Sequence, residues 1–435
     1  MGRIDIINRL KQKFQKEEYK RLISNFISLL VLQGVNYILP LITFPYLIRV
    51  LGVEKYGLIA FANATIAYFN ILTAYGFNLT ATREVSIYRD NKEKLIEIFS
   101  SVMIIKIILM IMSFLLLTIL VFSFEKFKKD AIVYYLTFGA VIGQVLFPQW
   151  FFQGIERMKY ITFLNITAKI IFTIAIFIFI HKESDYWKVP LISSLGFVIA
   201  GILAFYIIFK DFKIKFKFQS FQTIVYHLKE GWHIFISNIA ISLYTISTTF
   251  ILGIFTNNTI VGYFSIADRI KSAVQGLLGP ISQTIYPYIS KKVKENKLEG
   301  LQFIRKITIY IGTYSFILSF LLFLFAPEII HLIAGEKYER SILVLRIIAF
   351  LPFIVALSNI FGIQTMLNFG RKEAFSKILI GGSILNILLS VVLVPLFQEI
   401  GSAMSVLIVE IFITIAMFFY LQKIGINILK GKLNV

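Results

Sequence analysis

Long apolar segments separated by short polar ones fill the chain from about residue 22 to residue 422. A helix needs about 20 mainly apolar residues to cross the hydrocarbon core of a bilayer. The predicted spans are residues 22–48, 57–80, 95–122, 131–153, 161–180, 188–209, 232–255, 260–288, 307–326, 343–368, 376–397 and 400–422. This pattern predicts an all-α integral membrane protein with about twelve transmembrane helices.

A long polar stretch, residues 210–231, divides these spans into two sets of six. We therefore predict an N-terminal six-helix lobe over residues 22–209 and a C-terminal six-helix lobe over residues 232–422, joined by a cytoplasmic linker. Apolar residues recur at helical spacing among basic ones in residues 1–21, which predicts an amphipathic segment on the cytoplasmic surface, with a solvated tail as the alternative. Residues 423–435 are predicted to form a cytoplasmic tail.

Short sequence matches relate the two lobes as an internal repeat. Residues 23–25 (Ile-Ser-Asn) recur at 236–238, and the Gly-x-x-x-x-Ala segment at 57–62 recurs at 262–267, an offset of 205. Chance similarity between apolar helices is the alternative explanation. Two repeats of six spans keep the same orientation, and transporters built from such repeats place the substrate path between them.

The basic residues set the orientation. With the N-terminus in the cytoplasm and residues near span ends counted with the adjacent loops, 30 of the 44 Lys and Arg residues fall on the cytoplasmic side, 10 on the opposite side and 4 well inside spans. Cytoplasmic loops of membrane proteins carry this excess, so both termini are predicted to be cytoplasmic. The same loops account for the net charge of +20, so we predict no nucleic-acid partner.

Polar side chains follow one face of spans 1, 2, 7 and 8 at steps of three or four residues. The side chains predicted to line a lumen are Gln33, Asn36, Asn63, Asn70, Asn238, Ser242, Thr245 and Gln275. Such residues can also simply join helices by hydrogen bonds. Their occurrence on repeat-related spans favours a shared lumen.

Four cations also lie inside predicted spans: Lys106, Lys169, Arg269 and Lys271. Charged groups in hydrocarbon usually face a cavity or a partner. Asp268 stands three residues before Lys271, so the two can neutralise each other. A lumen with surplus positive charge is suited to an anionic substrate such as a phosphate or pyrophosphate.

Acidic residues within the spans are fewer, and Asp268 and Glu410 are candidates for ion coupling. The chain has no Cys, its four His residues lack metal-ligand spacing, and it has no Gly-rich phosphate loop. The sequence therefore predicts no catalytic residue, no metal and no cofactor, and a protein that is not an enzyme.

Several longer segments resemble polysaccharide repeat-unit flippases of the Wzx type, which belong to the multidrug/oligosaccharidyl-lipid/polysaccharide exporter superfamily. They are Leu51-Gly-Val-Glu-Lys-Tyr-Gly57, Tyr75-Gly-Phe-Asn-Leu-Thr-Ala-Thr-Arg-Glu-Val85, Gln149-Trp-Phe-Phe-Gln-Gly154 with Ile155-Glu-Arg-Met-Lys-Tyr-Ile161, Val261-Gly-Tyr-Phe-Ser-Ile-Ala267, Pro280-Ile-Ser-Gln-Thr-Ile-Tyr-Pro287 and Ala326-Pro-Glu-Ile-Ile330. Together they cover nearly the whole chain in order.

The resemblance implies a MATE-like arrangement of two six-helix lobes around a central cavity lined mainly by helices 1, 2, 7 and 8. It also implies transfer of an undecaprenyl-pyrophosphate-linked oligosaccharide from the inner to the outer leaflet of the bacterial plasma membrane by alternating access, in O-antigen or capsule synthesis. The implied partners are this anionic lipid, the membrane lipids, and a polysaccharide polymerase with its chain-length machinery. Ala74 stands where many relatives have Asp, so any role of that carboxylate is absent here.

Two other functions remain open at this stage. A multidrug antiporter of the same superfamily would need an acidic cation site in the first half, yet the first span has no carboxylate between Arg21 and Glu54. A membrane polysaccharide polymerase or ligase would need a catalytic site on the outer face, where the predicted loops are short.

Overall fold

A computed structural model describes the backbone of residues 2–433. It describes side chains from residue 31 onward except those of residues 33, 37, 38, 237, 240, 241, 243–245, 283, 434 and 435. The amphipathic character predicted for residues 1–21 and the side chains of Gln33 and Thr245 therefore lie outside the described residues.

Helices make up most of the described chain. The first half contains α1 (Gly2–Ala74), α2 (Phe77–Ile87), α3 (Lys92–Ser123), α4 (Glu125–Lys128), α5 (Ala131–Leu146), α6 (Gln149–Gly154), α7 (Met158–Phe179) and α8 (Lys188–Lys210). The second half contains α9 (Phe221–Thr245), α10 (Ser247–Phe255), α11 (Asn258–Gly276), α12 (Gly279–Glu295), α13 (Lys297–Leu324), α14 (Ala326–Ile333), α15 (Glu339–Ile348), α16 (Leu351–Asn359) and α17 (Lys372–Lys423).

Short elements complete the chain. A π-helix spans Ile360–Met366, and 3₁₀ turns span Glu183–Asp185 and Glu336–Tyr338. Strands β1 (Ile426–Asn427) and β2 (Lys432–Leu433) form an antiparallel hairpin. The predicted all-α membrane class is confirmed.

Eight helical stretches of the described chain are long and apolar enough to cross a membrane. Two of them, Gly34–Ile87 and Lys372–Lys423, have 54 and 52 residues. At 1.5 Å per residue, this many helical residues correspond to about 80 Å of helix, more than twice the thickness of a hydrocarbon core. The first stretch has breaks at Gly52 (φ 73°) and at Tyr75–Gly76 (φ 46° and 85°), between α1 and α2, and the second has a break at Gln398 (φ 53°). The total of about twelve spans stays a prediction.

The chain folds as two compact units, whose boundaries differ from a simple division at the linker. The first unit takes the chain up to Phe44 and Ile66–Asn238, and the second takes Pro45–Thr65 and the chain from Ile239. The lobe boundaries expected from sequence remain a prediction.

Aromatic packing organises the first unit around α6. Trp150, Phe151 and Phe152 are fully buried, and Phe99 of α3 lies 6.0 Å from the Trp150 ring and 5.8 Å from the Phe151 ring. Since each aromatic ring buries a large apolar area, this cluster fixes α3 and α6 together.

The second unit has an apolar core between α12, α13 and α17. Buried members include Ile289, Ile304 and Met417, and Ile426 of β1 joins them. Burial of Ile426 places the terminal hairpin against the ends of these helices.

Two glycines related by the predicted repeat meet inside the second unit. A Cβ at Gly57 would lie 1.8 Å from the Asn258 carbonyl oxygen and 2.6 Å from the Gly262 nitrogen. A Cβ at Gly262 would lie 2.2 Å from the Val53 carbonyl oxygen. Only glycine permits backbones to approach this closely.

Candidate functional site

The first unit encloses a cavity of about 240 Å³, which we call the first-unit cavity. Its polar lining consists of Asn70, Asn78, Lys106, Gln144, Gln149 and Asn165. Asn70 and Lys106 were predicted as site residues from different spans, and the fold brings them to one cavity.

Lys106 supplies the positive charge of the first-unit cavity. Its side chain is 3% exposed, and among the described residues its Nζ donates one hydrogen bond, to the Gln144 carbonyl oxygen at 3.4 Å. An ammonium group has three donors. Lys106 therefore has hydrogen-bonding capacity left for a ligand.

Asn70 contributes an unsatisfied acceptor to the same cavity. Its Oδ1 is buried and has no hydrogen-bond partner among the described residues. A buried polar atom without a partner costs about 1–3 kcal/mol, so a donor from a ligand or water would stabilise it. A cation beside amide groups can bind an anionic group and hydroxyl groups together.

Close packing of α5 and α8 forms one wall of this cavity. A Cβ at Gly143 would lie 2.4 Å from Phe197 Cβ, and one at Gly201 would lie 2.6 Å from Leu146 Cβ. Ser194 Oγ also donates to the Leu136 carbonyl oxygen at 2.5 Å. Small residues let the two backbones approach, as is usual for helix pairs in membranes.

Lys169 of α7 lies against α1. Its Nζ donates to Asn36 Oδ1, so two predicted site residues are in direct contact. Lys169 is not part of the first-unit cavity.

The predicted cations of the second unit have different surroundings. Lys271 Nζ lies 2.8 Å from Asp268 Oδ1, as the i,i+3 spacing suggested. Arg269 is exposed and makes no ion pair among the described residues. Arg269 therefore carries the uncompensated charge of α11.

A second cavity, the second-unit cavity, has a volume of about 140 Å³. Its polar lining consists of Gln275, Ser282, Asn359 and Gln364, surrounded by aliphatic side chains. Gln275 was predicted as a lumenal residue. Asn359 and Gln364 were not predicted, because they stand five residues apart in span 10, and the spacing of three or four residues that identified the stripes of spans 1, 2, 7 and 8 does not group them.

The remaining predicted residues are spread over both units. Asn63 is exposed, and Asn238 and Ser242 are half-buried. Glu410 is half-buried in α17, within its second helical part. Neither cavity includes any of these four residues.

Sequence comparison finds related proteins along nearly the whole chain. A family model described as "Polysaccharide biosynthesis protein" matches residues 22–293. A protein of Escherichia coli K12 named "Putative O-antigen transporter" is 38% identical over 92% of this chain and 96% of its own length. A Shigella dysenteriae protein of the same name is 28% identical over 90% of this chain and 98% of its own length.

Solved structures show a similar fold at low sequence identity. The lipid II flippase MurJ in an inward closed conformation matches with a TM-score of 0.67 and 19% identity, over 92% of this chain and 87% of MurJ. A multidrug resistance MATE transporter of the MOP superfamily in an inward-facing conformation matches with a TM-score of 0.67 and 14% identity, over 89% of this chain and 94% of that one. The predicted MATE-like class is confirmed.

Proposed function

The chain belongs to the polysaccharide biosynthesis protein family, and from this premise we propose that it is a lipid-linked oligosaccharide flippase. It moves undecaprenyl-pyrophosphate-linked repeat units from the inner to the outer leaflet of the plasma membrane by alternating access. It acts as a transporter and not as an enzyme. The names of its sequence relatives favour this function over multidrug antiport.

The first-unit cavity is the observation that carries the proposal. It combines the buried ammonium of Lys106 with the unsatisfied amide oxygen of Asn70. The ammonium binds an anionic phosphate group, since hydrogen bonds between ionised groups are the strong ones. The amides bind sugar hydroxyls, which both donate and accept hydrogen bonds.

The charge distribution supports the location that we propose for the protein. Both termini lie in the cytoplasm of a bacterium, because most Lys and Arg residues between spans then lie inside. The oligosaccharide is delivered on the outer face, where a polymerase and its chain-length machinery use it.

The membrane potential favours this direction of transport. Moving two negative charges outward across an inside-negative potential of 100 mV releases about 4–5 kcal/mol. This energy depends on the charge of the substrate and not on nucleotide hydrolysis.

The test is a flipping assay in proteoliposomes with a polyprenyl-pyrophosphate oligosaccharide. Wild-type protein should move the lipid between leaflets, and Lys106→Met should lose most of this activity because it removes the charge at nearly constant length. Lys210→Met is the matched control, because Lys210 is exposed and its Nζ lies 2.8 Å from Tyr206 Oη, away from either cavity. Wild-type activity in Lys106→Met, with normal folding, would contradict the assigned site.

A further inference from the structure

The second-unit cavity contains a buried acceptor without a donor. The side chain of Gln364 is 2% exposed, and its Oε1 has no hydrogen-bond partner among the described residues. A cavity of about 140 Å³ is about ten times larger than the space that one water molecule requires. There is therefore room beside Gln364 for a ligand group larger than water.

The other polar groups of this cavity hold Gln364 in place. Its Nε2 donates to Ser282 Oγ at 2.9 Å and to the Ser282 carbonyl oxygen at 3.1 Å. Ser282 Oγ in turn donates to Asn359 Oδ1 at 2.7 Å. These bonds use the donors of Gln364 and leave its oxygen free to accept.

A local change in helix geometry sets the position of Gln364. The π-helix spans Ile360–Met366, and both Thr365 Oγ1 and Leu367 N donate to carbonyl oxygens five residues earlier, at 2.7 and 3.1 Å. Single π-turns in α-helices occur often at functional sites. The extra residue in this turn changes which side chains face the cavity.

The repeat relates this cavity to the first-unit cavity. The offset of 205 that aligns Gly57 with Gly262 also aligns Asn70 with Gln275, and each of these amides lines the cavity of its own unit. The two cavities differ in charge. Lys106 lines the first cavity, whereas none of the described residues that line the second cavity is charged.

The chemistry of the lining indicates the ligand. Small-molecule sites are mostly apolar with a few placed polar groups, and this cavity has that composition. Without a charged side chain it offers no specific attraction to a phosphate. We propose that the second-unit cavity binds a neutral sugar residue of the lipid-linked oligosaccharide, with a sugar hydroxyl donating to Gln364 Oε1; this rests on the proposed flippase function.

Binding of two probes to the purified full-length protein tests the proposal. One probe is polyprenyl pyrophosphate and the other is the same lipid carrying an oligosaccharide. Wild-type protein should bind the sugar-bearing probe more tightly. Gln364→Leu should weaken its binding about tenfold and leave the affinity for the sugar-free probe unchanged, because about one buried hydrogen bond is lost.

Gln302→Leu is the matched control, since it makes the same substitution on α13 of the same unit. Gln302 is exposed and does not line the cavity, so both affinities should stay at wild-type values. Thermal unfolding checks each variant. If Gln364→Leu does not fold, Gln275→Leu tests the same cavity from α11.

The outcomes separate this inference from the proposed function. If wild-type protein binds neither probe, the flippase function itself is wrong. If it binds both probes equally, or if Gln364→Leu keeps the wild-type preference for the sugar-bearing probe, the second-unit cavity holds only water and this inference alone is overturned.

Discussion

The four cations predicted within spans occupy different environments, and those environments suggest different roles. Lys106 is buried with one long hydrogen bond to a carbonyl oxygen, whereas Lys169 contacts Asn36 and Lys271 pairs with Asp268. Arg269 is exposed. Burying an ammonium without an anion is costly in a membrane protein, which marks Lys106 as the cation that a bound anion would stabilise most.

Substitution of Arg269 tests whether the exposed positive charge on α11 contributes to transport. Arg269→Lys should retain part of the flipping activity, and Arg269→Ala should lose most of it, because the anionic substrate needs the charge more than the shape. The measurement is the flipping rate at equal protein amounts in proteoliposomes. Equal rates for Arg269→Ala and wild type would mean that the side chain only reaches toward the membrane surface.

Some of the residues that line the two cavities could be predicted from the sequence, and others could not. A charged residue such as Lys106 within an apolar span is visible in the sequence, and helical spacing identifies the polar faces that include Asn70 and Gln275. Gln364 was missed because a π-turn changes the side-chain register, which a constant period of 3.6 residues does not represent. Spacing also does not reveal which neighbouring helix meets a polar face.

At the scale of elements, the approach of Gly57 to Gly262 limits which side chains α1 and α11 can carry. Gly57→Ala should lower the thermal unfolding temperature, since overpacking against backbone atoms costs about 1–3 kcal/mol or more. Gly34→Ala is the matched control. Gly34 lies in the same helix, a Cβ added there would meet no neighbouring atom within 4 Å, and alanine favours helix.

The outcome that would contradict this contact is an unchanged unfolding temperature in Gly57→Ala. A lower temperature in both variants would show that glycine is needed in α1 for reasons other than this contact.

Element boundaries were predicted unequally well. The apolar pattern predicts long helices such as α3 and α13, because their apolar composition is typical of a helix in a membrane or in a protein core. The segment from α9 to α12 carries the polar stripes of spans 7 and 8, and it is absent from the eight strongly apolar stretches of the described chain. The break at Gln398 was placed between two spans by length, but a positive φ at a residue other than glycine has no sequence signal.

At the scale of the whole molecule, the predicted repeat relates one lining residue of each cavity. The amides Asn70 and Gln275 stand at positions 205 residues apart, and among the described lining residues of the two cavities only Lys106, in the first, is charged. A substrate with a charged pyrophosphate and neutral sugars has two chemically different parts to recognise. A cavity with a cation and a cavity without one fit these two parts.

Transport against a substrate gradient also requires an energy source, and Glu410 is the candidate for proton coupling. It lies half-buried in α17, with no Lys or Arg three or four residues away and no ion pair among the described residues. Asp268, by contrast, is paired with Lys271. A carboxyl group that lies in a membrane helix and has no cationic partner can bind and release a proton during the transport cycle.

We therefore expect an imposed pH gradient to accelerate flipping by the wild-type protein and to have no effect on Glu410→Gln. The amide keeps the shape and hydrogen bonding of a protonated carboxyl group, so flipping without a gradient should persist in the variant. Initial rates in proteoliposomes, with the membrane potential clamped, separate the proton gradient from the charge of the substrate. If the wild type ignores the gradient, or if Glu410→Gln responds as the wild type does, Glu410 only joins helices and the coupling energy comes from the membrane potential.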